Sequence, residues 1–166
     1  GLMDKLPSQG SRRTAEHDEF QQFSTPPDLA LVMNWAAGLR KGDVMLEPSA
    51  GLGGLAVFAK NAGATVIVNE LSPRRAALLE QMGFDRVFTE NAEQLNNILP
   101  KDVKPTVVVM NPPFSATAGR VEGERSSRNA QVHIEQALKR LEPGGRLVAL
   151  VGDGLEGFAG PTTLWN

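Results

Sequence analysis

Val107-Val108-Val109-Met110 is apolar at four consecutive positions and runs without a break into Asn111-Pro112-Pro113-Phe114. A strand has two faces, so a run apolar at every position leaves no side for water; it predicts a strand covered above and below, the habit of parallel sheets. The prolines then end the ladder, because each lacks a backbone donor and has its φ fixed. The rest of the chain alternates in the same sense. Val44-Met45-Leu46 reads as a short strand ending at Glu47-Pro48, Thr65–Asn69 as a β-branched strand ending at Glu70, Arg86–Thr89 as a third, Thr106–Met110 as the fourth and Arg146–Val151 as the fifth. Between them lie helical stripes: Leu55, Phe58, Ala59 and Ala62, stopped by Gly63; a helix capped by Ser72-Pro73 and running to Gly83; Ala92–Leu99; and Ile134, Ala137, Leu138 and Leu141, ended by Pro143-Gly144-Gly145. Ahead of the first strand, Thr25-Pro26-Pro27 reads as an N-cap and first turn, with Leu29, Val32, Met33 and Ala36 as the buried stripe. The prediction is α/β: an open, mostly parallel sheet with helices on both faces, its ligands bound at the carboxyl ends of the strands. That directs attention to 47–54, 69–71, 89–92 and 110–114.

Composition narrows the chemistry. The 166 residues carry no cysteine, so disulfides, a thiol nucleophile and thiolate zinc sites are excluded, and His17 and His133 stand far apart, off any metal spacing. No metal site is expected. No stretch is apolar enough for a membrane span and the first residues lack a signal-peptide pattern, so a cytoplasmic protein with no membrane partner is expected. The net charge of −2 argues against a chain that grips nucleic acid unaided. Residues 1–24 are polar and aperiodic and read as a flexible arm, with 25–166 as the folded core.

Gly51-Leu52-Gly53-Gly54-Leu55-Ala56 fits G-x-G-x-x-[G/A] between a strand and a helix, and Glu70 stands 19 residues after Gly51 at the end of the next strand. This is the pattern of a dinucleotide-binding turn with its ribose-binding acid. Glu47, just before the glycines, shifts the reading: a carboxylate there opposes a pyrophosphate and suits a ligand bearing an ammonium or sulfonium group. The chain also offers no residue set for hydride transfer. An adenosyl ligand carrying positive charge is the favoured reading.

With the corner Asn111-Pro112-Pro113-Phe114 in view, the sequence resembles class I S-adenosylmethionine-dependent methyltransferases acting on planar amino groups, whose signature is [D/N/S]-P-P-[Y/F/W] after the fourth strand. Phe23-Ser24-Thr25-Pro26-Pro27 looks like the family's N-terminal cofactor motif, Leu46-Glu47-Pro48-Ser49-Ala50-Gly51 like its glycine loop, and Asn69-Glu70-Leu71 like its ribose-binding segment. The motif order resembles adenine-N6 DNA methyltransferases, in particular phage and plasmid modules attached to helicase-like proteins. The resemblance implies a Rossmann-like class I methyltransferase fold, S-adenosyl-L-methionine as cofactor with S-adenosyl-L-homocysteine as product, and DNA ahead of RNA as partner. It also implies roles. Thr25 contacts the methionine carboxylate. Glu47, Ser49, Ala50, Gly51 and Gly53 belong to the methionine and ribose region, Glu70 binds the ribose hydroxyls, and Leu71 packs on the adenine. Where the family usually has Asp after strand three, this chain has Asn91 before Ala92, with Glu90 as the alternative acceptor.

The chemistry accounts for the corner. An exocyclic aromatic amine is a poor nucleophile, and its two N–H bonds need two acceptors: the Asn111 side-chain oxygen and the Pro112 carbonyl. Both strengthen as the nitrogen becomes cationic. Pro112 and Pro113 fix their directions, and Phe114 stacks on the extruded base. Guanine-N2 RNA enzymes and glutamine-N5 protein enzymes share this corner or a close variant, so those acceptors stay open. So does a non-catalytic cofactor-binding module, because too few residues follow strand five for the sixth and seventh strands of the fold or for a target-recognition domain. A larger protein is the expected setting. Of the remaining features, His133 reads as a solvated histidine on the polar side of a 129–141 helix, Arg74 and Arg75 as a solvated helix face, and Trp35 as a packing residue. Ser115–Arg128 reads as a mobile loop whose Arg120, Arg125 and Arg128 are candidates for phosphate contacts. Trp165 receives no role.

Overall fold

A computed structural model describes residues 24–112 and 120–151, with the side chains of 120–128 outside the description. Pro113, Phe114, Trp165 and, but for Ser24, the expected N-terminal arm lie outside the described residues. The chain runs α1 (Pro27–Ala36), β1 (Val44–Glu47), α2 (Gly54–Asn61), β2 (Thr65–Asn69), α3 (Pro73–Gln81) and β3 (Arg86–Phe88). A 3-10 turn (Ala92–Gln94) leads into α4 (Leu95–Ile98), and β4 (Val107–Met110), α5 (Arg120–Arg140) and β5 (Arg146–Ala149) follow. All strand pairs are parallel and the order is β3-β2-β1-β4-β5, with Met45 opposite Val107 and Glu47 opposite Val68. The expected α/β sheet is therefore observed.

Alternation along each strand sorts the core into two layers. Met45, Val66, Val68, Val107 and Val109 meet Ala30, Met33, Leu55, Ala59 and Leu79 from α1, α2 and α3 on one face. Leu46, Ile67, Val108 and Met110 meet Leu95, Leu99, Ile134 and Ala137 from α4 and α5 on the other. Met45, Leu46 and the whole of β4 are closed to solvent, as a run apolar at every position requires.

Helix α1 turns a different face inward than its sequence suggests. Ala30, Met33, Asn34 and Ala37 are buried, whereas Val32 and Trp35 are exposed, Trp35 by 82%. The small alanines let α1 approach α2 closely, and Asn34 Nδ2 donates to the Leu55 carbonyl across that contact. Thr25 is not the cap of this helix: Pro26 holds that position without a side-chain bond, which frees Thr25 for the site. Helix α5 also begins nine residues earlier than the sequence reading allowed, so 120–128 is helical rather than loop.

At the amino ends of the strands, Asp43 accepts from Thr106 Oγ1 at 3.0 Å and Arg146 Nη2 at 2.7 Å, while Arg146 Nε donates to Ala37 O at 2.7 Å. This ties β1, β4, β5 and the end of α1 together. Burial alone raises the Asp43 carboxyl, but the bonds from Thr106 and the Arg40 N–H, with the Arg146 charge, hold it below the ordinary aspartate value. Arg140 similarly donates to the carbonyls of Asn96, Leu99 and Val103, locking α5 onto the α4 segment. No described helix is long and apolar enough to cross a membrane.

Candidate functional site

The chain lays strands outward from β1 to β3, then returns to place β4 against the free side of β1. Strand order reverses there, so the loops after β1 and β4 diverge and leave a crevice at their carboxyl ends. A cavity of about 390 Å³ occupies it, within the range of small-molecule sites. Nine sequence-predicted residues line it: Thr25, Ser49, Ala50, Gly51, Glu70, Leu71, Asn91, Ala92 and Asn111. Segments far apart in the chain thus converge on one place. Pro112 is buried next to Asn111.

The glycine loop is built by local bonds. Ala50 N–H donates to Asn69 O at 2.9 Å and Gly53 N–H to Ala50 O at 2.8 Å, while Gly51 and Gly53 adopt φ of +57° and +83°. A Cβ on Gly53 would stand 2.9 Å from Leu79 Cδ2, so this glycine is needed both for the turn and for close packing on α3. Gly53 does not line the cavity, and neither does Glu47. Glu47 lies beneath the loop, 2% exposed, with Oε2 lacking a hydrogen-bond partner among the described residues. Burial pushes its carboxyl well above the usual value; a backbone bond from Ala56 works against that, and nearby Glu70 adds to it.

Glu70 is held from three sides. Its Oε2 accepts from Gly51 N–H at 2.8 Å, and its Oε1 accepts from Ser72 N–H at 2.9 Å and from Arg75 Nε and Nη2 at 3.1 and 2.9 Å. Arg75 is therefore part of the site wall and not the solvated residue its sequence suggested. Its position in the first turn of α3 returns it toward the end of β2, a geometry the spacing of five from Glu70 permits. Beside it, buried Asn69 joins three strand ends. Its Nδ2 donates to Pro48 O and Glu90 O, both at 2.9 Å, and its Oδ1 accepts from Glu90 N–H at 2.9 Å. An amide closing an otherwise β-branched strand was the available signal.

Asn91 caps the 3-10 turn, its Oδ1 accepting from Glu93 N–H at 3.0 Å; this occupies one of that oxygen's two lone pairs. Leu71 stands on the rim, 63% exposed. On the opposite wall, Asn111 Nδ2 donates to Thr25 Oγ1 at 3.3 Å. His133 corrects its sequence reading outright: it is buried and lines the cavity, and Nδ1 has no partner among the described residues. Burial lowers its pKa, opposed by Glu93, so the ring is neutral near pH 7. Ala130, His133, Ile134 and Ala137 share the spacing of a buried stripe, which was the legible clue.

No family model matches the chain, and no curated protein sequence does. Solved structures do match its fold. TrmN from Thermus thermophilus superposes with a TM-score of 0.65 at 24% identity, over 86% of this chain and 44% of that one. A modification subunit assigned to a type I restriction enzyme of Vibrio vulnificus YJ016 gives 0.54 at 16% identity, over 71% of this chain and 30% of the other. SMU.1697c of Streptococcus mutans, whose structure holds S-adenosylhomocysteine, gives 0.56 at 18% identity and 81% of both chains. The fold is the Rossmann-like fold of methyltransferases. The chain spans less than half the length of the first two proteins.

Proposed function

We propose that the cavity binds S-adenosylmethionine and that Asn111 and Pro112 direct methyl transfer to a planar exocyclic amine, the N6 amine of adenine in DNA. The observation that carries this is the convergence of Thr25, the glycine loop, Glu70 and Asn111 on one crevice. The residues fit such a cofactor. Glu70, fixed by Gly51 N–H, keeps room on Oε2 for a ribose hydroxyl. Ser49, Ala50 and Gly51 form the floor beneath the methionine and ribose, with Gly53 shaping the turn that holds them. Leu71 on the rim and Asn91 with Ala92 on the far wall flank the adenine. Beneath the floor, a bound cationic ligand would draw the buried Glu47 carboxyl toward its charged form, against the burial that favours its protonated one. When bound, S-adenosylmethionine supplies a methyl carbon whose C–S bond breaks as the amine N–C bond forms, the electron pair leaving on sulfur and the surplus proton leaving the nitrogen for solvent.

The chain's own part is orientation and electrostatics. Asn111 Oδ1, with no partner among the described residues, and the Pro112 carbonyl accept the two N–H bonds of the amine. Their pull grows as the nitrogen gains positive charge, which lowers the barrier more than it tightens binding. Phe114 stacks on the base. The near-neutral chain leaves duplex gripping and target recognition to further parts of a larger protein, in keeping with the fraction of TrmN and of the restriction subunit that it spans.

Calorimetry with S-adenosylhomocysteine tests the cofactor half: saturable binding is expected in the wild type, weakened at least tenfold in Glu70→Ala, and no heat in a folded wild-type protein overturns it. Parallel transfer of labelled methyl to unmethylated duplex DNA, RNA and protein tests the acceptor. Label on RNA or protein alone would move the acceptor to guanine N2 or glutamine N5, and binding without transfer would leave a cofactor-binding module.

A further inference from the structure

We infer that Thr25 sets the orientation of the Asn111 amide, its oxygen accepting from Asn111 Nδ2 so that Asn111 Oδ1 faces the acceptor amine. This rests on the reading of Asn111 as the amine-binding residue. A terminal amide turned by half a revolution exchanges oxygen for nitrogen at little steric cost, yet only one orientation works: the other points N–H bonds at the N–H bonds of the substrate. Something must choose between them, and among the described residues Thr25 is the side chain that bonds Asn111, across 86 residues of sequence.

The geometry makes Thr25 a firm reference point. It precedes Pro26, which confines its backbone to extended conformations. Its carbonyl oxygen lies 3.2 Å from where a Cβ of Gly54 would stand, so it is packed against the first residue of α2, and glycine there permits the approach. A threonine hydroxyl has one proton and two lone pairs, so unaided it accepts either amide orientation. Thr25 also lines the cavity. A ligand carboxylate that takes its one proton leaves it only lone pairs to offer, and Asn111 must then present N–H to it and oxygen to the substrate. Cofactor occupancy thereby fixes the polarity of the amine site: Thr25 is a positioning residue.

Thr25→Val keeps the shape and removes the hydroxyl; Thr25→Ser restores it. At saturating S-adenosylmethionine, on whichever acceptor the wild type methylates, Thr25→Val is expected to lower kcat about tenfold, the worth of one such hydrogen bond. Thr25→Ser is expected within about threefold of wild type on the same scale. A readout independent of turnover is the side-chain amide NMR signal of Asn111. It should shift in Thr25→Val and not in Thr25→Ser, in the free protein as well as with S-adenosylhomocysteine. An unmoved Asn111 signal in Thr25→Val, or an unchanged kcat at saturating cofactor, overturns the inference. A wild type that fails to bind S-adenosylhomocysteine overturns the cofactor reading instead, while the free-protein signal still decides whether Thr25 bonds Asn111.

Discussion

Arg75 grips one oxygen of Glu70 with two nitrogens, Nε at 3.1 Å and Nη2 at 2.9 Å, while the other oxygen accepts from the Gly51 N–H. The side chains are 16% and 6% exposed, so the pair is largely screened from water. The carboxylate proposed to bind the ribose is thus locked in direction before any ligand arrives, and Oε1 already carries three donors. Arg75→Met should therefore destabilise the fold by about 1–3 kcal/mol, the cost of unsatisfying a mostly buried charged group. It should also weaken S-adenosylhomocysteine binding by loosening Glu70. Chemical denaturation and calorimetry on the same variant check both effects, and unchanged values in both would show that Gly51 and Ser72 suffice.

The buried Glu47 makes a pH prediction. Its folded carboxyl titrates well above 4.5, chiefly because burial disfavours the charge, whereas the unfolded group titrates near 4.5. Between those values the folded state holds a proton that the unfolded state has released, so stability falls as pH rises through the window. Glu47→Gln cannot ionise and should lose that slope. Thermal melts of both proteins from pH 4 upward, on the order of one unit apart, should diverge increasingly above the ordinary carboxyl range. Parallel curves would mean that Glu47 stays charged in the fold.

Gly53 tests the loop. Alanine there must adopt φ near +83° and would bring its Cβ to 2.9 Å from Leu79 Cδ2 and 3.1 Å from Met82 Cε. The backbone alone costs about 1–2 kcal/mol. Leu79 is fully buried and has no room to retreat. Gly53→Ala should lower Tm by about 2–4 °C per kcal/mol lost, and cofactor affinity should fall with it although Gly53 does not line the cavity. Retained stability would place the demand for glycine elsewhere in the loop.

Much of this was legible in the residues. Strand β4 and the β-branched β2 declare themselves because a parallel sheet's strands must be apolar on both faces, and the loops between strand and helix carry glycine and proline that have few other uses. Those elements fix the crevice, and eight of the nine predicted lining residues lie in the segments at strand ends, Thr25 coming instead from the resemblance of its motif. The failures lie where tertiary contact picks among equal local choices. Leu29, Val32, Met33 and Ala36 have the same spacing as Ala30, Met33, Asn34 and Ala37; close approach to α2 selects the second set and leaves Trp35 in water. Arg75 looked solvated because Arg residues usually are, and nothing local shows that Glu70 curls back to meet it. His133 looked solvated for the same reason, and helix 120–128 was hidden by its glycine and serines.

Direction of methyl transfer by Asn111, from a cofactor held by the glycine loop and Glu70, is the core of the proposed function. Its most direct test is labelled-methyl transfer to unmethylated duplex DNA by the wild-type protein and by Asn111→Ala, with the modified base identified. N6-methyladenine is expected from the wild type and a loss of at least about a hundredfold in the variant, on the scale of removing one transition-state acceptor, while the affinity for S-adenosylhomocysteine stays within a few fold. Transfer that persists undiminished in Asn111→Ala would contradict it.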